Sequence, residues 1–291
     1  MTNNIDPRVV QAFGEEWSKF DYSRLGESNL LPLFESYFSL FPWHVLTTSA
    51  EGFDLGCGTG RWAYFVAQKV GSLHCIDASL AALDVARRNL QMHSNCSFHC
   101  ASADAIPLAD GSADFGYSLG VLHHVPDTGR AIRECACKLK PGAPLLIYLY
   151  YAFDNRPTWF QIVWRFSDLL RRLVSRMPFS IRSPLCEVLA ALVYWPLARI
   201  SKLLERAGAD VAHFPLSAYR NRTFYCMRND ALDRFGTRLE KRFTRKEIKR
   251  MLETAGFERI VFSEWPCWCA LGYRNAETLE IKQKNGLETA I

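Results

Sequence analysis

Phe53-Asp54-Leu55-Gly56-Cys57-Gly58-Thr59-Gly60-Arg61 is a short apolar strand running into three glycines at alternate positions. A helical pattern follows from Arg61 to Lys69, and the next strand-like run, Leu73-His74-Cys75-Ile76-Asp77, ends on an acid. Glycines let the backbone turn sharply and approach a ligand without a Cβ clash. The unpaired N–H groups of a following helix favour that ligand. An acid closing the second strand can accept hydrogen bonds from a ribose. The stretch therefore predicts a site for a nucleoside-containing cofactor.

The glycine spacing narrows the cofactor. A dinucleotide fingerprint reads G-x-G-x-x-G, and its third glycine would fall on Arg61. The pattern here is G-x-G-x-G behind Asp54. It resembles motif I of the class I S-adenosylmethionine (SAM)-dependent methyltransferases, with Asp54, Gly56, Gly58, Gly60 and Asp77 matching residue by residue. The resemblance implies that Asp54, Cys57 and the glycine backbone line the methionine end of SAM, and that Asp77 and Ala78 hold the ribose side. A nicotinamide cofactor is disfavoured by Arg61.

Strand signals continue at Ser97–Cys100, Phe115–Leu119 and Leu145–Tyr150, with helical patterns at Ser79–Gln91 and Arg130–Leu139 between them. Alternation of this kind predicts a doubly wound α/β fold, with a mostly parallel sheet and helices on both faces. Thr244-Arg245-Lys246-Glu247 reads as a capping box opening a last helix. Ile260–Phe262 and Cys269–Tyr273 read as closing strands. The resemblance implies a Rossmann-like sheet of seven strands.

Within that family the loop after the third strand reaches the adenine. Here it contains Ser102-Ala103-Asp104, with Ser102 where the family carries an acid, so the adenine contact falls on Ser102 or Asp104. The fourth strand leads into Leu119-Gly120 and then Leu122-His123-His124-Val125. The resemblance places Leu119 and Gly120 beside the methionine part, and His123 and His124 at the methyl-transfer face. If the acceptor is a hydroxyl, a base can remove its proton, and His is suited to that role. His213 is a further candidate.

Two regions lie outside the minimal fold. Residues 1–48 predict an N-terminal helical cap. Residues 151–243 form an insertion far longer than the roughly 2–6 residues usual in α/β connections, and predict a helical lid or substrate segment between the core at 49–150 and its closing elements at 244–274. A tail, 275–291, offers little to pack. In the insertion, Trp159, Ile162, Val163, Phe166, Leu169, Leu170 and Leu173 recur at helical spacing, with Arg165, Arg171, Arg172 and Arg176 between them. That stripe suits helix packing, an acceptor channel, a dimer face or a membrane-surface contact. Tyr151, Tyr219, Arg220 and Arg222 are candidate acceptor contacts, since Arg binds carboxylate or phosphate bidentately.

Composition sets the remaining bounds. The 291 residues are 49% apolar and 22% charged, ordinary globular values, with a net charge of +5. No Lys/Arg run resembles a nucleic-acid tail. The run Val188–Ala198 is shorter than the roughly 20 residues of a membrane span, so a buried or interfacial helix is expected there and no transmembrane span, with peripheral membrane contact left open. The N-terminus shows no secretory signal pattern. Ten cysteines lack zinc-site spacing, so no metal is expected. The expectation is a cytoplasmic enzyme, monomer or homodimer, that moves a methyl from SAM to an oxygen, less readily a nitrogen or carbon, of a small or lipid-like molecule, releasing S-adenosylhomocysteine. Alternatives are a methyltransferase for protein or nucleic acid, or a SAM-binding regulator that does not catalyse.

Overall fold

A computed structural model describes residues 4–22, 26–154, 156–264 and 268–276. The expected tail falls almost wholly outside them, as does Cys267. The chain divides into two compact units. The first comprises residues 1–6, 21–151 and 241–291, and the second residues 7–20 and 152–240. The 1–48 segment is therefore divided, with its first helix grouped with the insertion.

The first unit is built on seven strands: β1 (Glu51–Leu55), β2 (Ser72–Asp77), β3 (Cys96–Cys100), β4 (Phe115–Leu119), β5 (Pro144–Tyr148), β6 (Phe257–Phe262) and β7 (Cys269–Arg274). Their order is β3-β2-β1-β4-β5-β7-β6. The first five run parallel, and β7 is antiparallel to both of its neighbours. After β3 the chain returns to the other side of β1. The carboxyl ends of β1 and β4 thus flank the point where the winding reverses, the place where open α/β sheets bind ligands.

Two interlocked pairs set the centre of the sheet. Gly52 stands beside Phe115 and Phe53 beside Gly116 in the β1–β4 register. A Cβ on Gly116 would lie 2.3 Å from the Phe53 ring, and one on Gly52 would lie 2.4 Å from the Phe115 ring. Each glycine makes room for the neighbouring strand's phenyl, and both rings are fully buried.

The helices of this unit are α2 (Glu27–Tyr37), α3 (Ala63–Ala67), α4 (Leu80–Asn89), α5 (Thr128–Lys138) and α10 (Arg245–Thr254). Ser79 caps α4 and Asp127 caps α5 through their side chains. The Thr244–Glu247 capping box is formed. The helix expected over Arg61–Lys69 is only the five residues of α3. Gly56, Gly58 and Gly60 all have positive φ, so the chain coils through the loop and becomes helical only at Ala63.

The second unit is helical: α1 (Pro7–Lys19), α6 (Thr158–Val174), α7 (Phe179–Leu189), α8 (Trp195–Arg206) and α9 (Phe224–Gly236). A π-turn, Ala190–Tyr194, joins α7 to α8. Helix α9 packs against α1, α6 and α7. Because the π-turn carries the helix through Pro196, Phe179–Arg206 is one continuous helix of 28 residues. By length and composition alone it is apolar enough to cross a membrane, a longer helical stretch than the Val188–Ala198 run by itself indicates.

Candidate functional site

The glycine loop is pinned to the second strand. Gly56 and Cys57 donate their amides to the Ile76 carbonyl at 2.7 and 3.0 Å. The Gly58 amide donates to Asp77 Oδ2 at 2.9 Å, and the Ser79 amide donates to Asp77 Oδ1 at 2.8 Å. Asn89, at the end of α4, donates to the Thr59 carbonyl. The loop also touches the β4 side, since a Cβ on Gly56 would lie 2.4 Å from Val121. Ser118 Oγ donates to the Leu55 carbonyl at 2.8 Å. Local hydrogen bonds thus gather Asp54, Gly56, Cys57, Gly58, Gly60, Asp77 and Ala78, with Leu119 and Gly120 on the adjoining strand end.

Asp54 Oδ2 and Thr59 Oγ1 make no hydrogen bond of normal geometry. Burial pushes the Asp54 carboxyl up to about 8, the nearby Tyr117 hydroxyl pulls it partly back, and Asp77 adds to the rise. Asp77 is also raised by burial, against the pull of its amide donors. Leaving a buried carboxylate unpaired is costly. A cationic ligand group at Asp54 removes that cost, and the methionine end of SAM carries such a group. The positive-φ glycine cradle and this orphaned oxygen fit SAM.

The third-strand loop is tied more tightly than expected. Asp104 accepts the Ser102 hydroxyl at 2.6 Å and the Asn4 amide at 3.1 Å, and it pairs with Arg130 at 2.7 Å. Burial pushes its carboxyl up, but these donors outweigh it and hold it low. Asn4 also clamps the α5 cap, donating to the Asp127 carbonyl and accepting its amide. Asp104 therefore locks the loop. Ala103 is buried beside it.

Beyond β4, a 3₁₀ turn at Leu122–His124 presents both histidines, and both are buried. His123 stacks on Tyr150, ring centroids 3.8 Å apart and planes 28° from parallel. The His124 ring lies 4.0 Å from His123 and 5.6 Å from Tyr150. Neither His123 ring nitrogen has a hydrogen-bond partner. Burial, with His124 and Arg242 adding to it, holds His123 well below the usual imidazole range. Arg242 sits over the Tyr150 ring at 5.0 Å.

Tyr148, Tyr37 and Trp62, which the sequence did not single out, extend this array. Tyr150 contacts Tyr148 at 6.0 Å, Tyr148 contacts Tyr37 at 5.2 Å, and Tyr37 contacts Trp62 at 5.3 Å. Strand parity was the available signal, since Tyr148 and Tyr150 fall on one side of the chain and Tyr151 on the other. Tyr151 instead bridges to Phe243 and meets Trp268.

The other acceptor candidates belong to the helical unit. Tyr219 packs on Tyr194 and beneath Arg222. Arg220 pairs with Glu205 at 2.8 Å and Arg222 with Asp230 at 3.5 Å. His213 contacts Arg156 at 3.0 Å.

A family model described as "Methyltransferase domain" matches residues 53–147. Residues 53–147 belong to the class I SAM-dependent methyltransferases. The matched span of this methyltransferase domain contains the glycine loop, Asp77, the Ser102–Asp104 loop and both histidines. Among curated relatives, the chain is 36% identical over 98 residues to "Methyltransferase GfsG" of Streptomyces halstedii, covering 32% of this chain and 35% of the relative. It is 35% identical over 124 residues to "Arsenite methyltransferase" of Aquipseudomonas alcaligenes, covering 38% and 36%. It is 30% identical over 93 residues to "Ubiquinone biosynthesis O-methyltransferase" of Coxiella burnetii, covering 32% and 40%. The chain thus spans about two fifths or less of these relatives. A solved structure titled as a "possible exported protein" from Bordetella parapertussis shares the fold at TM-score 0.51 and 16% identity, over 88% of this chain and 71% of that one.

Proposed function

We propose that this chain is an enzyme that transfers a methyl group from SAM to an oxygen of a small or lipid-like acceptor. The observation that carries the oxygen assignment is His123: a buried, neutral imidazole with both ring nitrogens open, stacked on Tyr150. When bound, SAM supplies a methyl carbon already activated by its sulfonium. The chain's own residues have three tasks. Asp54 and the glycine backbone hold the methionine end, and Asp77 holds the ribose. The aromatic array from Trp62 to Tyr150 excludes water and orients an apolar acceptor. His123 takes the acceptor's hydroxyl proton on a ring nitrogen as the oxygen attacks. Tyr150 keeps that ring in place.

Two of the named relatives differ in what their names state, arsenite in one and ubiquinone biosynthesis in the other, which supports a shared donor site and a separately chosen acceptor. One of them carries O-methyltransferase in its name. We assign acceptor choice to residues 152–240, which lie outside the matched domain. The free cysteines of the described residues support a reducing, cytoplasmic setting.

Calorimetry with SAM and S-adenosylhomocysteine tests the donor. Folded protein that binds neither refutes the reading. Incubation with methyl-labelled SAM and small-molecule extracts, followed by product identification, tests the acceptor. Label on nitrogen or carbon overturns the oxygen assignment.

A further inference from the structure

Helix α6 is built inside out. A helix on a water-soluble surface normally buries its apolar stripe and exposes its charges. Here Asp168 and Arg171 are buried against the unit. Arg171 donates to Asp168 at 2.7 Å and to the Thr237 carbonyl at 2.9 Å. The outward face carries Trp159, Ile162, Val163, Phe166, Leu169 and Leu173, spaced to form one continuous stripe. Phe166 is 72% exposed.

The α7–α8 helix repeats the inversion. Arg182, Ser183 and Ser201 are buried, while Val188, Leu192, Trp195 and Leu203 face out, Leu192 at 72%. Exposed apolar area on this scale marks a contact surface. The flank of α6 is basic: Arg165, Arg172 and Arg176 are all exposed. Arg8, Arg172, Ser175, Arg176 and Arg238 line a cleft of about 310 Å³ in the same unit. The Arg238 side chain donates to the Ser175 and Arg176 carbonyls, which fixes one wall. Asp168 is the acid beside this group, and it is bonded to Arg171 and Arg172.

We propose that the helical unit docks on an anionic phospholipid surface, the α6 and α7–α8 faces entering the acyl boundary and the arginine cleft holding lipid phosphate. An apolar face with a basic flank is the pattern of an interfacial helix. Charge complementarity selects the occupant. A second copy meeting the same face would oppose arginines to arginines, whereas anionic headgroups neutralise them. The Phe179–Arg206 helix lies on the surface and does not span. Spanning would strip Arg182 from Glu15, and Glu187 from Lys19 and Arg228.

The test is sedimentation of the full chain with vesicles of phosphatidylcholine, with and without phosphatidylglycerol, in the absence of SAM. The proposal expects binding that depends on the anionic lipid. Arg165→Glu with Arg176→Glu should weaken it by at least about tenfold. Phe166→Ser with Leu169→Ser should abolish it, with an unchanged circular dichroism spectrum, since both side chains already face solvent. Absence of binding to anionic vesicles, or binding indifferent to both pairs, overturns the proposal. So does a dimer seen by light scattering that the Phe166/Leu169 pair dissolves while vesicles sediment nothing. The readout involves no methyl transfer, so its failure leaves the proposed activity standing.

Discussion

The Asp77 carboxylate accepts the Gly58 amide at 2.9 Å. One acid at the end of β2 therefore shapes the glycine loop, and it is the acid proposed to hold the ribose. Its other oxygen takes the Ser79 amide, so the carboxylate is locked in orientation before any ligand arrives.

Asp77→Ala removes both the ribose acceptor and the loop tether. Calorimetry should show SAM affinity falling by about tenfold or more, on the scale of one or two charge-assisted hydrogen bonds. Asp77→Asn keeps the size but loses the charge, and should fall between. Wild-type affinity in Asp77→Ala would remove the residue from the site.

The Asp54 carboxyl predicts a pH dependence of stability. Its value is about 8 in the folded chain against 3.8 for the ordinary group. Between those values the folded state binds the extra proton, so this group makes stability fall as pH rises from about 4 to about 8. Denaturant titrations across that range should show a shallower fall for ligand-free Asp54→Asn. Because a charged carboxylate suits a cationic ligand group, wild-type SAM affinity should rise through the same range. An identical pH slope in the variant would refute the assignment.

His123 is neutral across the physiological range, so its titration should leave no acidic limb between pH 6 and 7 in the rate profile. His123→Gln should lower kcat by roughly 10²–10⁴-fold if it is the base, with SAM affinity unchanged. Tyr150→Leu removes the stacking partner and should lower kcat by a smaller factor. Full turnover by His123→Gln would show that the acceptor needs no base.

The interlocked Gly52/Phe115 and Gly116/Phe53 pairs carry a stability prediction. Gly116→Ala places a methyl where the Phe53 ring now lies. Overpacking of this kind costs about 1–3 kcal/mol, visible as a lower denaturation midpoint. Phe53→Leu in the same chain should recover part of the loss.

The shape of the glycine loop was legible in the sequence because its contacts are local. Glycines at 56, 58 and 60 need positive φ whatever surrounds them, and Asp77 reaches the loop from the end of the next strand. The hydrogen bonding of the Ser102–Asp104 loop was not legible, because it depends on Asn4 and Arg130, both distant in the chain. Tyr151 was preferred to Tyr150 because neighbouring residues look alike in sequence. Where the strand ends, which tyrosine meets His123 depends on how β4 and β5 align.

By itself the sequence determined the α/β alternation, the nucleoside loop and the helical period of the insertion, since each follows from local backbone preference or from spacing along one element. The tertiary structure alone decided that His123 stacks on Tyr150, that Asp104 is consumed by Arg130, and that the apolar stripe of α6 faces outward. Those outcomes turn on which distant segments pack together. Periodicity says that a helix has two faces; only burial of Asp168 and Arg171 says which one the protein keeps.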